Sequence, residues 1–225
     1  MSILVIAPHA DDETLGMGGT IARFAREGKR VTVAVMTGHG PGEHPLWKPE
    51  FWEEIRGEAA EAARVLGVDS LLFDELPAAC LADLPTHQVN RAVGQMIARA
   101  DPEELYLPYF HDLHLDHEAL AYAALVHARA YLAAGKRVRL VAMYETPTET
   151  HLFPAPIRPP FVPNMWVDIS ETLDAKLEAW NCYRSQHQEG PTPRSPEALR
   201  AQAVSRGAEV GVAAAEGFLV LRLTR

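Results

Sequence analysis

Cysteine is scarce in this chain: Cys80 and Cys182 are the only two in 225 residues, and they form no CxxC pair. That excludes a thiolate zinc site and a dithiol redox pair, and it fits a reducing compartment. No apolar run approaches the ~20 residues that span a bilayer, and the N-terminus lacks the basic region and cleavage pattern of a signal peptide. Cytoplasmic residence, with no membrane partner, is expected. Lysine and arginine form no runs, and the formal charge is -9 with a pI near 5.6. This balance argues against nucleic acid or an anionic surface as a partner and favours an acidic enzyme. Internal repeats and low-complexity tracts are absent as well.

What the chain does have is short apolar runs alternating with amphipathic stretches. Its length suits one α/β domain rather than two. Ile3 to Ala7 is β-branched-rich and continuous, the pattern of a strand buried on both faces in a parallel sheet. A helix to near Gly28, a strand from Arg30 to Thr37 and a helix from Phe51 to Leu66 follow. Next come a strand from Ser70 to Asp74, a helix from Pro85 to Ala100, and a strand at Leu105 to Leu107. An alanine-rich helix from Glu118 to Ala134 and a fifth strand from Arg139 to Thr146 complete the series. Right-handed crossovers then predict a Rossmann-like three-layer α/β/α sandwich with a mostly parallel sheet of order 3-2-1-4-5. Residues 1–146 form this core. Residues 147–225 add an excursion with six prolines between Pro147 and Asn164, a short strand from Met165 to Asp168, and a helix capped by Ser170. A helix capped by Ser195 with Pro196 in its first turn, and a last strand from Gly217 to Leu223, close the chain.

Pro8-His9-Ala10-Asp11-Asp12-Glu13 stands at the tip of the first strand, the end at which parallel sheets bind ligands. His9 and Asp12 can converge on one cation, because imidazole nitrogen and carboxylate oxygen are both zinc ligands. Asp11 points elsewhere. The same acids serve equally well as helix-capping residues. The balance shifts at the fourth strand, whose tip carries Tyr109-Phe110-His111-Asp112-Leu113-His114-Leu115-Asp116-His117. Strands one and four are neighbours at the switch point, so His9, Asp11 and Asp12 should meet His114, Asp116 and His117. Spacing allows either His114 or His117 as the third ligand. His111 and His127 lack such partners. The loop from Gly38 to Glu50, with His39, His44 and Trp47, lies at the same end of the sheet and can shape a pocket. Gly16, Gly18 and Gly19 follow the polar tip at the wrong spacing for a dinucleotide fingerprint.

These tips continue into Thr14-Leu15-Gly16 and Gly18-Gly19-Thr20, then Arg56 and Glu58 ahead of Ala63 and Leu66-Gly67-Val68. With His114-Leu115-Asp116-His117, Pro193-Arg194-Ser195, Arg206-Gly207, Glu216 and Phe218, the chain resembles the PIG-L/LmbE-like deacetylases along essentially its whole length. That family carries Pro-His-Pro-Asp-Asp-Glu and His-Pro-Asp-His signatures. Here Ala10 and Leu115 replace the second proline of the first signature and the proline of the second. Neither position supplies a ligand, so the change concerns backbone rigidity rather than chemistry.

The resemblance implies zinc-dependent removal of an N-acetyl group from an N-acetylglucosamine-containing sugar or conjugate. On that reading His9, Asp12 and His117 hold zinc, Asp11 is the general base, and Arg56 contacts substrate. His114 stabilises the oxyanion, oriented and charged by Asp116. With Asp116 two residues away, His114 is expected to have a raised pKa. A metal-dependent amidase acting on a thiol-sugar conjugate would share these signatures, and a non-catalytic sugar- or metal-binding relative would share the fold. Retention of Asp11, His114 and Asp116 favours an enzyme. The resemblance also implies a homo-oligomer, a trimer or hexamer, with residues 147–164 near its contacts.

Overall fold

The computed structural model describes residues 1–224. β1 (Ser2–Ala7) is buried throughout, with Ile3, Val5 and Ala7 in one apolar layer and Leu4 and Ile6 in the other. This is the two-sided burial that a continuous apolar strand requires. β2 (Arg30–Gly38), β3 (Ser70–Pro77), β4 (Glu104–Pro108) and β5 (Leu140–Tyr144) join it in parallel. β6 (Met165–Asp168) and β7 (Ala215–Leu223) extend the sheet, and β7 is antiparallel to both its neighbours. The order is β3-β2-β1-β4-β5-β7-β6, so strands one and four are adjacent as the crossover rule predicts.

One face of the sheet is covered by α1 (Asp12–Arg26), α2 (Pro49–Leu66), α6 (Leu173–Cys182) and α7 (Pro196–Val210). The other carries α3 (Thr86–Ala100) and α4 (Leu115–His127). Helices on both faces make a Rossmann-like three-layer sandwich. Among the described residues no helix is long and apolar enough to cross a membrane.

Several boundaries differ from the sequence reading. α4 begins at Leu115 rather than Glu118, because His114 caps it: its Nδ1 accepts from the Asp116 amide at 3.2 Å. Asp116 and His117 therefore lie in the first helical turn. α4 also stops at His127, and a separate short helix α5 (Ala133–Arg137) follows. Within α5, Gly135 packs against the Ala128–Arg129 backbone so closely that a Cβ there would clash with the Arg129 carbonyl. α6 starts at Leu173, not after Ser170, since the Ser170 hydroxyl donates to Asp168 Oδ1 at 2.6 Å.

α1 is broken at Met17 (φ -149°, ψ 26°). Both ends of the break are satisfied by buried side chains: Glu216 accepts from the Gly19 and Thr20 amides at 3.1 and 2.7 Å, and Lys176 Nζ donates to the Leu15 carbonyl at 2.8 Å. The two charges pair at 2.6 Å. Orphaned helix-terminal groups need such partners when buried.

Candidate metal centre

The tips of β1 and β4 meet, as expected. A single oxygen, Asp12 Oδ2, lies 3.2 Å from His9 Nδ1 and 3.3 Å from His117 Nε2, and it accepts from the His9 amide at 2.8 Å. The three donor atoms lie within 4.8 Å of one another. Zinc bonds of about 2.0–2.1 Å at a tetrahedral angle place donors about 3.3 Å apart, so the two Asp12–His separations suit such an ion. His117 is fully buried, and its Nε2 has no hydrogen-bond partner among the described residues. A buried nitrogen left without a partner is costly, and an ion would satisfy it. On the other side of that ring, Nδ1 is held by Asp112 Oδ2 at 2.8 Å, the carboxylate–histidine arrangement that orients a metal ligand.

A second cluster of donors, His9, His114 and Asp116, shares His9. Its atoms are already engaged. Asp116 accepts from the Ala79 and Leu81 amides at 2.6 and 3.2 Å and pairs with His9 Nε2 at 3.1 Å, while His114 Nδ1 accepts from the Asp116 amide. The first cluster is thus the better cation site, with Asp116 holding the outer nitrogen of His9.

Carboxylates on several sides favour positive charge between these rings. Although burial alone would lower their pKa values, the paired carboxylates lift His9 to about 9 and His117 to about 10. Asp12, despite its burial, is held well below the ordinary carboxylate range by His117 and His9. A metal ion would take the place of the protons.

His114 departs from its expected state. The Asp116 carboxylate is turned to His9 and the Ala79–Leu81 backbone, not to the His114 ring. Burial, reinforced by the positive charge on His9, lowers the His114 pKa to about 4. The ring is therefore neutral near pH 7. With Nδ1 accepting from the Asp116 amide, the proton sits on Nε2.

Asp11 lies beside the cluster in a strained backbone conformation (φ 136°, ψ -27°). A non-glycine residue in such a region costs about 1–3 kcal/mol and persists only when its surroundings hold it. Here the Asp11 carbonyl accepts from the Thr14 and Leu15 amides at 3.0 and 2.9 Å, and its own amide donates to Glu13 Oε2 at 3.2 Å. Glu13 is itself fixed by Tyr183 Oη at 2.6 Å and Thr14 Oγ1 at 2.7 Å. The Asp11 carboxylate pairs with Arg194 at 3.2 Å. Burial, partly offset by that guanidinium, sets its pKa at about 7.

His9, Asp11, Asp12, His114 and His117 line one cleft of about 140 Å³. Arg56 is not among its lining residues: it pairs with Glu75 and lies over the Phe73 ring. The guanidinium in the cleft is that of Arg194, a residue of the Pro193-Arg194-Ser195 stretch to which sequence alone attached no role. Asp112 and Glu13 also gained a role only from structure. Asp112 was visible as a carboxylate in the second tip, but nothing in its spacing tied it to His117.

Comparison with known proteins identifies the family. Residues 4–128 match the family model PIG-L, described as GlcNAc-PI de-N-acetylase. A diacetylchitobiose deacetylase of Thermococcus kodakarensis is 29% identical over 241 residues, covering 96% of this chain and 81% of that protein. A probable N-acetyl-alpha-D-glucosaminyl L-malate deacetylase 2 of Bacillus cereus is 29% identical over 190 residues, covering 82% of this chain and 83% of that protein. The crystal structure of a conserved protein from Thermus thermophilus superposes with a TM-score of 0.75 at 32% identity, covering 100% of this chain and 96% of that one. The family match spans more than half of the sequence and includes both polar tips, and the chain belongs to the PIG-L family.

Proposed function

We infer that the protein is a zinc-dependent de-N-acetylase acting on an N-acetylglucosamine-containing sugar or conjugate. The observation that carries this reading is the convergence of His9, Asp12 and His117 beside a strained, buried Asp11. His9, Asp12 and His117 would hold the ion, leaving a coordination position free, as catalytic zinc requires. When bound, zinc acts as a Lewis acid on the amide carbonyl and acidifies the attacking water.

The chain's own residues supply the rest. Asp11, with a pKa of about 7, is able to take the water proton near neutral pH and pass it to the departing nitrogen. Arg194 holds that carboxylate in place until the proton arrives. The neutral His114 offers its Nε2–H to the carbonyl oxygen as negative charge develops there. A C–O bond forms, the amide C–N bond breaks, and acetate and a free amine leave. His114 thus works as a neutral donor, not as the cation expected from its proximity to Asp116.

The names of the relatives support N-acetylated sugars as the substrate class. Self-association is part of the same reading: Tyr122, Val162 and Leu221 are exposed along one apolar groove with Pro159 and Pro160 of the proline-rich segment. The direct test is to supply zinc to the protein and assay acetate and free amine from N,N'-diacetylchitobiose, N-acetylglucosamine and N-acetylglucosaminyl malate. Release that a chelator abolishes and zinc restores is expected. A metal-replete protein that releases acetate from none of them contradicts the reading.

A further inference from the structure

We propose that the short turn Tyr183–Gln186 positions Asp11, gripping its backbone through Glu13 and its carboxylate through Arg194, and that Glu58 of α2 anchors this turn. What Asp11 does once in place rests on the deacetylase reading.

Glu58 is a carboxylate only 2% exposed, on the face of α2 that also buries Ile55, Ala59 and Ala62. Burying such a group is costly unless hydrogen bonds compensate, and an apolar side chain in its place would pack without that cost. Here one residue of the turn takes both oxygens: Ser185 donates its amide to Oε1 at 2.9 Å and its hydroxyl to Oε2 at 2.6 Å. Hydrogen bonds to a charged acceptor are strong, and two of them from one residue fix its orientation as well as its position. The turn, which follows α6 with Arg184–Gln186 helical, is thereby tied to α2.

From that anchor two arms reach Asp11. Gln186 Nε2 donates to the Ser185 hydroxyl oxygen at 3.0 Å, which leaves Gln186 Oε1 to accept from Arg194 Nη1 at 3.4 Å. The same Nη1 pairs with Asp11 Oδ2 at 3.2 Å. In the other arm, fully buried Tyr183 donates to Glu13 Oε1 at 2.6 Å, and Glu13 Oε2 accepts from the Asp11 amide at 3.2 Å. One arm holds the carboxylate and the other the amide of a residue whose φ of 136° persists only while its surroundings constrain it. Gln186 and Arg194 reach the cleft, whereas Glu58, Tyr183 and Ser185 are absent from its lining and act through Asp11.

The test compares variants on N,N'-diacetylchitobiose at matched zinc content. Tyr183→Phe and Glu58→Ala should each lower kcat about tenfold while KM changes less than about twofold, because a base displaced by a fraction of an ångström loses rate without losing substrate contacts. Glu58→Gln keeps an oxygen that can accept from Ser185 and should recover most of the loss. Tyr183→Phe removes only a hydroxyl and decides the matter should Glu58→Ala fail to fold. Wild-type kcat in either variant, or a change confined to KM, would overturn the proposal.

A readout without chemistry separates the two ideas. Hydrogen exchange of the Asp11 amide, in the zinc-loaded protein without substrate, should quicken about tenfold in Tyr183→Phe while the Val5 and Ile6 amides of β1 keep their wild-type rates. If it does so and the wild type hydrolyses no sugar, the deacetylase reading fails and the positioning of Asp11 stands. If sugar is hydrolysed and the Asp11 amide of Tyr183→Phe exchanges at its wild-type rate, the positioning fails alone.

Discussion

Asp116 shows how far a residue's work depends on where its oxygen atoms point. Two positions from His114 in sequence, it faces His9 in space, and two backbone amides lock it there. Its expected contribution is therefore to metal binding. Asp116→Asn should weaken zinc affinity about 10- to 100-fold, the usual effect of removing a carboxylate behind a ligating histidine. Competition with a chromogenic chelator measures it, and unchanged affinity would mean that His9 needs no such support. The meeting of His9, Asp11 and Asp12 with His114, Asp116 and His117 was legible in the sequence, because strand order alone brings the two tips together. The states of these residues were not. Tautomer and charge follow from hydrogen bonds to Ala79, Leu81 and Asp112, which no spacing rule contains. Arg194 was equally hidden, since it reaches Asp11 from the far end of the chain.

At the scale of elements, periodicity located the strands and most helices, while their ends were decided by tertiary contacts. The alanine-rich stretch after Glu118 carries no internal stop signal before Gly135, yet it forms two helices, and Gly135 in the second packs against the Ala128–Arg129 backbone that follows the first. The break in α1 depends on Lys176 and Glu216, distant residues that supply the missing partners. A similar long-range tie joins the end of β5 to α7: Glu145 accepts from Arg206 Nε and Nη2, both at 2.8 Å, with His151 at 2.8 Å. These partners outweigh burial and hold the Glu145 pKa at about 2, below its ordinary 4.5. A depressed carboxylate contributes stability in full above its unfolded value, and the contribution is lost as pH falls through the folded one. The wild-type advantage over Glu145→Gln should therefore be full above about pH 4.5 and shrink toward pH 2, by roughly 3 kcal/mol at most. Denaturant unfolding at a series of pH values tests this, and a difference that does not vary with pH would show that the pair carries no such linkage.

For the whole molecule, composition and alternation of elements were enough to read a three-layer α/β sandwich, because a parallel sheet buried on both faces leaves few other arrangements. How copies associate is less legible, since surface apolar residues are common on any protein. The groove containing Tyr122, Val162 and Leu221 should be buried in a homo-oligomer, and sedimentation at micromolar concentration should give a mass above that of one chain. A clean monomer would remove that part of the proposal. The proposed mechanism sets a base, Asp11, beside a metal, so the measurement nearest to the central claim is acetate release by Asp11→Asn at matched zinc content. A fall of about 100-fold or more with zinc retained is predicted, the scale of losing a general base. Turnover near the wild-type rate in that variant would contradict the account.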